Sequence, residues 1–413
     1  MGSKMHMNRI IKTGAIGLGV ALMSAPAFAE DLPSREEMWQ MIQAQQAQIN
    51  DLTSKLEDTD EKVEATGEVV EEIASSGGGS SEPGWWQRTS LGGYGELHYS
   101  GGDKDEVDFH RFVLFIAHEF TDNVRFFSEL EVEHALAGEG QPGAVELEEA
   151  FLEFDIADYH SLTAGVQLIP VGIINETHEP PTFYGVERNE VETNIIPTTW
   201  WEAGIGARGQ LSNEFSYNVL YHSGLQVPTT GTNAFRIRNG RQKVTEARAA
   251  DGAVTGRVQW TGMPGVEVGV TAQHQFDVTQ GTAEETPATL LEAHIDASLA
   301  LGPGRVGFRA LAAFWDLDSN AAAAVGRDEQ SGWYVEPSYR FATDIGDLGF
   351  FVQYAEWDNN GGDNTDSKFS QTRFGANFWP TPDTVLKADY QIDSAPVGGT
   401  EDNRVNLGVG FQF

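Results

Sequence analysis

Carboxylates recur two or four positions apart along two neighbouring segments of this 413-residue chain. In a β-strand, residues two apart point to the same face, so two adjacent strands would present these groups together as an acidic wall. Such a wall would attract cations, hold water and pair with basic side chains. Its members are Glu129, Glu131 and Glu133 on the first segment, and Glu149, Glu153 and Asp155 on the second.

Arginines are spread over most of the remaining segments, on the same face by alternation. They are Arg111, Arg125, Arg208, Arg257, Arg309, Arg340, Arg373 and Arg404. If the segments cross a membrane, an arginine facing lipid at mid-depth would cost about 2–4 kcal/mol, so this face is expected to line a polar lumen. Acid on one side and arginine on another would create a transverse field across the water. The alternative is that the charges only pair with one another and stiffen the wall.

The elements that carry these residues have a regular order. From Arg88 onward, strand-like stretches are joined alternately by short turns and longer polar loops, with seven turns and eight loops. The last stretch, 401–413, alternates apolar residues with polar residues or glycine. This pattern predicts an all-β transmembrane barrel of about 16 antiparallel strands, with short turns on one side and long loops on the other.

The chain before residue 85 has a different composition. Residues 7–29, MNRIIKTGAIGLGVALMSAPAFA, have a basic start, an apolar middle and an A-x-A end. This pattern predicts a signal peptide over residues 1–29, with additional residues ahead of Met7. Residues 75–84 are a Gly/Ser linker. The barrel is then expected over residues 85–413.

Residues 30–74 lie between the signal peptide and the linker. Apolar and small polar residues from Met38 to Ile73 alternate at steps of four and three, which predicts a short α-helical coiled coil. We expect this periplasmic segment to join subunits into a homotrimer. The alternatives are a solvated helical spacer, or a tether that contacts the cell wall.

Composition excludes several classes of protein. The chain has 62 acidic and 26 basic residues, a formal net charge of -36 and no cysteine. The charge argues against nucleic-acid partners, and the missing cysteines exclude disulfides and thiolate metal sites. The chain has no G-x-S-x-G or H-E-x-x-H motif, and its histidines are scattered singly. We therefore predict no enzyme activity, no cofactor and no metal site.

One loop is long and mixed in character. Residues 171–199, VGIINETHEPPTFYGVERNEVETNIIPTT, contain enough apolar residues to pack against the barrel wall, together with Glu176, Glu187, Arg188 and Glu190. Long loops in compact proteins are commonly functional. We predict that this loop folds into the barrel and that these four residues line a pore constriction. The alternative is a loop that caps the mouth or lies at a subunit contact.

The ends and centre of this loop resemble a known family. The segments Pro170–Glu176, Val186–Arg188 and Ile195–Trp200, followed by Glu202 and Gly204, are similar to those of the phosphate-selective porin O/P family. The resemblance covers roughly residues 88–413. It implies a trimeric sixteen-stranded porin of the bacterial outer membrane, in contact with lipid and lipopolysaccharide, whose loop after the fifth strand enters the channel. The loop departs from the family's pattern, because it has one arginine, no lysine and several glutamates.

The resemblance and the inward arginines together predict a function. We expect passive diffusion of small hydrophilic anions, of phosphate- or carboxylate-like chemistry, through a water-filled barrel narrowed by the loop 171–199. The acidic wall favours a general or cation-preferring porin as the alternative. A structural tether between outer membrane and cell wall is the third interpretation, and it predicts no conductance.

Overall fold

The structure is a computed structural model that describes residues 84–102 and 104–413. The predicted signal peptide (1–29), the coiled coil (30–74) and all but the last residue of the linker (75–84) lie outside the described residues. Their predictions therefore remain predictions.

Sixteen antiparallel strands form a closed barrel in which each strand pairs with its sequence neighbours and β1 pairs with β16. This confirms the predicted strand number and the predicted alternation of short turns with longer loops. The strands are β1 (Thr89–Gly101), β2 (Asp105–Thr121), β3 (Val124–Glu133), β4 (Val145–Ala157), β5 (His160–Leu168), β6 (Trp201–Gln210), β7 (Phe215–His222), β8 (Ala253–Met263), β9 (Val266–Gln275), β10 (Ala288–Leu301), β11 (Gly304–Leu317), β12 (Glu329–Thr343), β13 (Gly346–Asp358), β14 (Phe369–Thr381), β15 (Thr384–Ser394) and β16 (Arg404–Gln412).

The strands alternate between an exposed apolar face and a buried face. On β7, Val219 and Tyr221 are exposed, whereas Leu220 and His222 are buried. A band of exposed aliphatic and aromatic side chains around a barrel is stable against lipid and unfavourable against water. The helices among the described residues are short, and none has the length and apolar run needed to cross a membrane.

Two of the β-bulges lie within the wall, away from the short turns, and interrupt the alternation there. The β1–β2 register shifts so that Glu96 faces Arg111 and Leu97 faces Phe109, which leaves His110 as the extra residue. The β3–β4 register shifts in the same way, and Glu148 is the extra residue there. A bulge turns two consecutive side chains toward one face. The acidic and histidine content of the lumen wall is therefore higher than a period of two predicts.

The apolar core lies between the wall and two long loops. The first loop, residues 169–200, contains a turn at Pro180–Thr182 and helix α1 (Val191–Asn194). The second, residues 223–252, contains a turn at Ile237–Gly240, and helix α2 (Asn320–Ala323) follows β11. Residues from both loops form one buried cluster with inward residues of β11 and β12. Its largest members include Ile169, Ile195, Ile196, Trp200, Leu225, Ile237, Trp315 and Tyr334.

Candidate pore constriction

The first loop is closed at its base by one asparagine. The Asn175 amide donates to the carbonyl oxygens of Ile169 and Trp200 at 2.8 and 3.0 Å, and its oxygen accepts the Trp200 backbone N–H at 2.8 Å. Asn175 is completely buried. Three hydrogen bonds from one buried side chain therefore tie the two ends of the loop together.

Beyond its base, the loop crosses to strands on the other side of the lumen. Inward side chains of these strands donate hydrogen bonds to loop carbonyl oxygens, so the loop backbone is satisfied although it is buried. The donors are Trp315 to Ile195 (2.9 Å), Arg373 to Glu187 (2.6 Å), Trp379 to Pro181 (3.2 Å) and Lys387 to Gly185 (2.8 Å).

Glu192 on α1 is a second anchor. Its carboxylate accepts the backbone N–H groups of Ile173 and Ile174 at 2.9 and 2.7 Å and the Tyr334 hydroxyl at 2.6 Å. The residue is completely buried. Hydrogen bonds to a charged group are stronger than neutral ones, so this carboxylate fixes the loop both to itself and to β12.

Glu192→Ala is expected to loosen the first loop without unfolding the barrel. Losing three bonds to a buried carboxylate costs about 3 kcal/mol, or roughly a hundredfold in the local opening equilibrium. Amide hydrogen exchange across residues 171–199 should accelerate accordingly. Glu179→Ala is the control on the same loop, because no hydrogen bond or ion pair of the Glu179 side chain is present among the described residues. Equal exchange in the two variants would contradict this role of Glu192.

The second loop adds a basic cluster that was not among the residues predicted from the sequence. Arg236 donates to Asn194 Oδ1 at 2.6 Å, Arg238 to the carbonyl oxygens of Thr193 and Thr198, and Arg241 to the Thr199 carbonyl oxygen at 2.6 Å. These contacts place the segment RIRNGRQK, residues 236–243, against the first loop.

A chamber of about 220 Å³ lies between this basic segment and the strand wall. We call it the charged chamber. One side carries carboxylates of β3 and β4, and the other carries cations of the two loops and β16. The carboxylates are Glu131, Glu133, Glu146 and Glu148, and the cations are Arg188, Arg238, Arg241, Lys243 and Arg404. The loop residues Glu187 and Glu190, together with His110, Thr193, Thr198, Thr199 and Trp201, also line the chamber.

Three arginines of the charged chamber have no carboxylate partner. Among residues 84–102 and 104–413, Arg188, Arg238 and Arg241 form no ion pair within 4.0 Å, and their hydrogen bonds go to neutral oxygens. Burial, with the nearby charges of Arg241 and Arg188, lowers the pKa of Arg238 to about 10. Burial also lowers the pKa of Arg188. All three remain cationic near neutral pH, so their charge is directed at the water of the chamber.

The four residues predicted for the constriction fall into two places. Glu187, Arg188 and Glu190 line the charged chamber. Glu176 lies apart from them, where it pairs with Arg257 and lines a cavity of about 1040 Å³ beside the short turns. The first loop therefore contributes to two successive compartments of the lumen.

The predicted acidic wall divides in a similar way. Glu131 and Glu133 line the charged chamber. Glu129 accepts a hydrogen bond from the Tyr94 hydroxyl, and Glu149 accepts one from the Leu168 backbone N–H. Glu153 forms ion pairs with Arg125 and Arg208. Glu146 and Glu148 were missed because the bulge at Glu148 reverses the alternation that assigns Glu149 and Glu153 to the lumen.

The predicted inward arginines outside the chamber are paired with carboxylates. The pairs are Arg111–Glu96, Arg125–Glu153, Arg125–Asp155, Arg208–Glu153, Arg257–Glu176, Arg309–Asp296, Arg340–Asp347 and Arg373–Asp389. Arg404, which lines the chamber, pairs with Asp402. Arg125, Arg208 and Arg257 line the cavity beside the short turns. The unpaired cations of the second loop had no periodic signal that could have identified them.

His178 joins the first loop to the acidic wall. Its Nε2 lies 3.4 Å from Glu129 and 3.6 Å from Glu148, and Arg111 donates to its carbonyl oxygen at 2.7 Å. The Tyr94 ring packs edge-on at 5.9 Å. Burial lowers the pKa of His178, but its close contacts with the two glutamate carboxylates outweigh burial and raise the pKa to about 9.

Raising the pH through about 9 is expected to weaken the contact of His178 with Glu129 and Glu148. The first loop is then held less firmly, so open-channel current noise should increase. The folded-state pKa of His178 exceeds its ordinary value of 6.5. The stabilisation is therefore fully present below about pH 6.5 and is lost as the pH rises through about 9. The positive charge of Arg188 opposes protonation of His178, and it does so throughout this pH range because Arg188 stays cationic. His178→Gln should lack the transition, and His160→Gln, at the short-turn end, should keep it. Superimposable noise profiles for wild type and His178→Gln would contradict the assignment.

Comparison with known proteins agrees with this architecture. An anion-selective porin from Comamonas acidovorans has a TM-score of 0.54 at 12% identity, with 79% of this chain and 99% of that chain covered. The outer membrane channel DcaP of Acinetobacter baumannii has a TM-score of 0.53 at 14% identity, covering 79% and 97%. OmpT of Vibrio cholerae, in its trimer form, has a TM-score of 0.51 at 11% identity, covering 79% and 99%. Because these sequence identities are low, the structural similarity establishes a shared fold and nothing more.

A curated relative is similar in sequence over a shorter stretch. An uncharacterized protein of Aquifex aeolicus strain VF5 is 41% identical over 177 residues. The match spans 41% of this chain and 40% of the relative, so less than half of that protein's length is covered.

The closed barrel with its charged lumen defines an outer-membrane channel of the porin class. The chain belongs to the family of phosphate-selective porins O and P, and the match covers residues 96–395. This confirms the family predicted from the loop motifs. Family and fold together point to a channel rather than to an enzyme.

Proposed function

We propose that this protein is a passive channel for small hydrophilic anions, of phosphate- or carboxylate-like chemistry. The observation that carries the proposal is the group of unpaired guanidinium ions of Arg188, Arg238 and Arg241 at the charged chamber. Unpaired, partly desolvated cations bind anions at short range and are weakly screened. Arginine also matches the geometry of phosphate and carboxylate groups.

In this proposal the two long loops narrow the lumen together. The first loop supplies Arg188 and the second supplies Arg238 and Arg241, whose hydrogen bonds to the first loop hold them at its edge. In the larger cavity beside the short turns, Arg125, Arg208 and Arg257 are paired with carboxylates. The unpaired positive charge is therefore supplied at the chamber, by the two loops together.

The opposite carboxylates favour a second candidate, a cation-preferring or general porin. Glu131, Glu133, Glu146 and Glu148 form one side of the chamber. Of these, Glu146 is paired with Lys243 and Glu148 faces His178, so part of the negative charge is compensated. This compensation is the reason to prefer the anion channel.

The proposal is tested by solute flux into proteoliposomes. Potassium gluconate and glucose are similar in size, and valinomycin allows potassium to follow the anion. We expect gluconate to enter faster than glucose relative to protein-free vesicles. Faster entry of glucose would contradict an anion channel, and no entry of either solute would favour the tether.

We further propose that the protein assembles as a homotrimer, with residues 30–74 contributing a periplasmic coiled coil. Sedimentation or native mass spectrometry in mild detergent should give three chains for the full-length protein. A variant lacking residues 30–84 should keep its barrel, because the described wall closes between β1 and β16 without that segment. A monomeric full-length protein would contradict the proposal.

A further inference from the structure

Histidines that are scattered singly along the sequence meet beside the charged chamber. Asp108 and His110 lie on β2, and His134 follows the last residue of β3. The Nδ1 atom of His134 lies 2.8 Å from the Asp108 carboxylate, and the Nδ1 atom of His110 lies 3.4 Å from it. One potential ligand atom from each residue lies within 4.8 Å of the other two.

The β1–β2 bulge accounts for part of this arrangement. It makes His110 the extra residue of β2, so that His110 and Arg111 both turn to the lumen, on the same side as Asp108. The side chains of Asp108, His110 and His134 are 25%, 33% and 33% exposed. The cluster is therefore built into the wall, yet it remains accessible to ions in the lumen water.

The donor set has a definite chemical preference. Two imidazole nitrogens and one carboxylate oxygen suit zinc and neighbouring first-row transition metals, whereas magnesium and calcium prefer oxygen ligands alone. We propose that Asp108, His110 and His134 bind a divalent cation of the zinc class, with water in the remaining position.

Such an ion would act on the charged chamber at short range. His110 lines the chamber and stacks on His98 with ring centroids 4.8 Å apart, and His98 Nδ1 lies 2.9 Å from the Glu187 carboxylate. The two positive charges of one bound divalent ion, at the edge of the charged chamber beside His110, would raise the local anion concentration and repel cations. The site would couple metal availability to permeation, which goes beyond the proposed passive function.

Zinc binding is tested directly on the full-length protein by calorimetry in detergent after chelator treatment. We expect one saturable site per chain that survives a hundredfold excess of magnesium. His134→Gln should weaken zinc binding by about tenfold or more, since one of three ligands is lost. His118→Gln, on β2 but hydrogen-bonded to Thr89 instead, should bind as the wild type does.

A spectroscopic measurement keeps the test independent of how well a variant folds. Cobalt added to the wild-type protein should give the visible bands of a nitrogen- and oxygen-ligated ion, and zinc should abolish them. If magnesium at equal concentration displaced the bound cobalt, the binding would be assigned to the chamber carboxylates and the proposal would be overturned. Unchanged zinc affinity in a folded His134→Gln protein would overturn it as well. Neither result depends on whether the pore prefers anions.

Discussion

Replacing Arg188 and Arg241 together by glutamate is expected to convert the channel from anion preference to cation preference. Both guanidinium groups line the charged chamber, and neither has a carboxylate partner among the described residues. A unit charge about 5 Å from a passing ion contributes about 0.8 kcal/mol even at the dielectric constant of water. Each reversal changes the charge by two units, so each lowers anion permeability and raises cation permeability by roughly tenfold.

The measurement is the reversal potential of the variant in a potassium chloride gradient. Arg248→Glu is the matched control for the single variant Arg188→Glu, since it makes the same change of charge on an exposed residue of the second loop. Arg188→Glu alone should give an intermediate shift and leaves the Arg241 contact with Thr199 intact. Equal shifts in the control and the double variant would mean that selectivity is set outside the chamber.

Shortening the first loop should give the second large effect, an increase in conductance. Removing residues 180–197 and joining the ends with a short Gly/Ser bridge deletes α1 and the carbonyl groups that strands β11, β14 and β15 hold. The narrowest section dominates the resistance of a water-filled barrel, so single-channel conductance should rise roughly twofold or more.

A surface deletion controls for the loss of residues as such. Residues 397–399 lie in the exposed loop between β15 and β16, where Val397 is fully exposed. Their removal should leave conductance at the wild-type value. A first-loop deletion that folds, remains resistant to unfolding in detergent and conducts as the wild type would place the constriction elsewhere.

The barrel was predictable from sequence because the requirement for apolar side chains repeats at every second position of each strand. Every lipid-facing strand position must be apolar, so alternation and turn residues determine sixteen strands and their order. Leu220 and Tyr221 on β7 lie on the faces that alternation assigns. The family-like residue Asn175 also occurs where the first loop is tied at its base, although its hydrogen-bond partners could not be predicted from the spacing of residues in the sequence.

The chamber was only partly predictable, for two physical reasons. Bulges at His110 and Glu148 insert one residue each, and a period of two has no means of locating them. The second loop has no periodicity, so the positions of Arg238 and Arg241 depend on hydrogen bonds to residues about 40 positions earlier. Arg188, by contrast, was identified from the length of its loop and the loop's mixture of apolar and charged residues.

Unpaired arginines at the charged chamber are the central reason to expect an anion channel. The most direct test is the sign of the wild-type reversal potential across a planar bilayer with a tenfold potassium chloride gradient, measured without divalent cations. We predict the sign that corresponds to chloride permeating faster than potassium. The opposite sign would show that the carboxylates of β3 and β4 control permeation, and it would contradict an anion-selective pore.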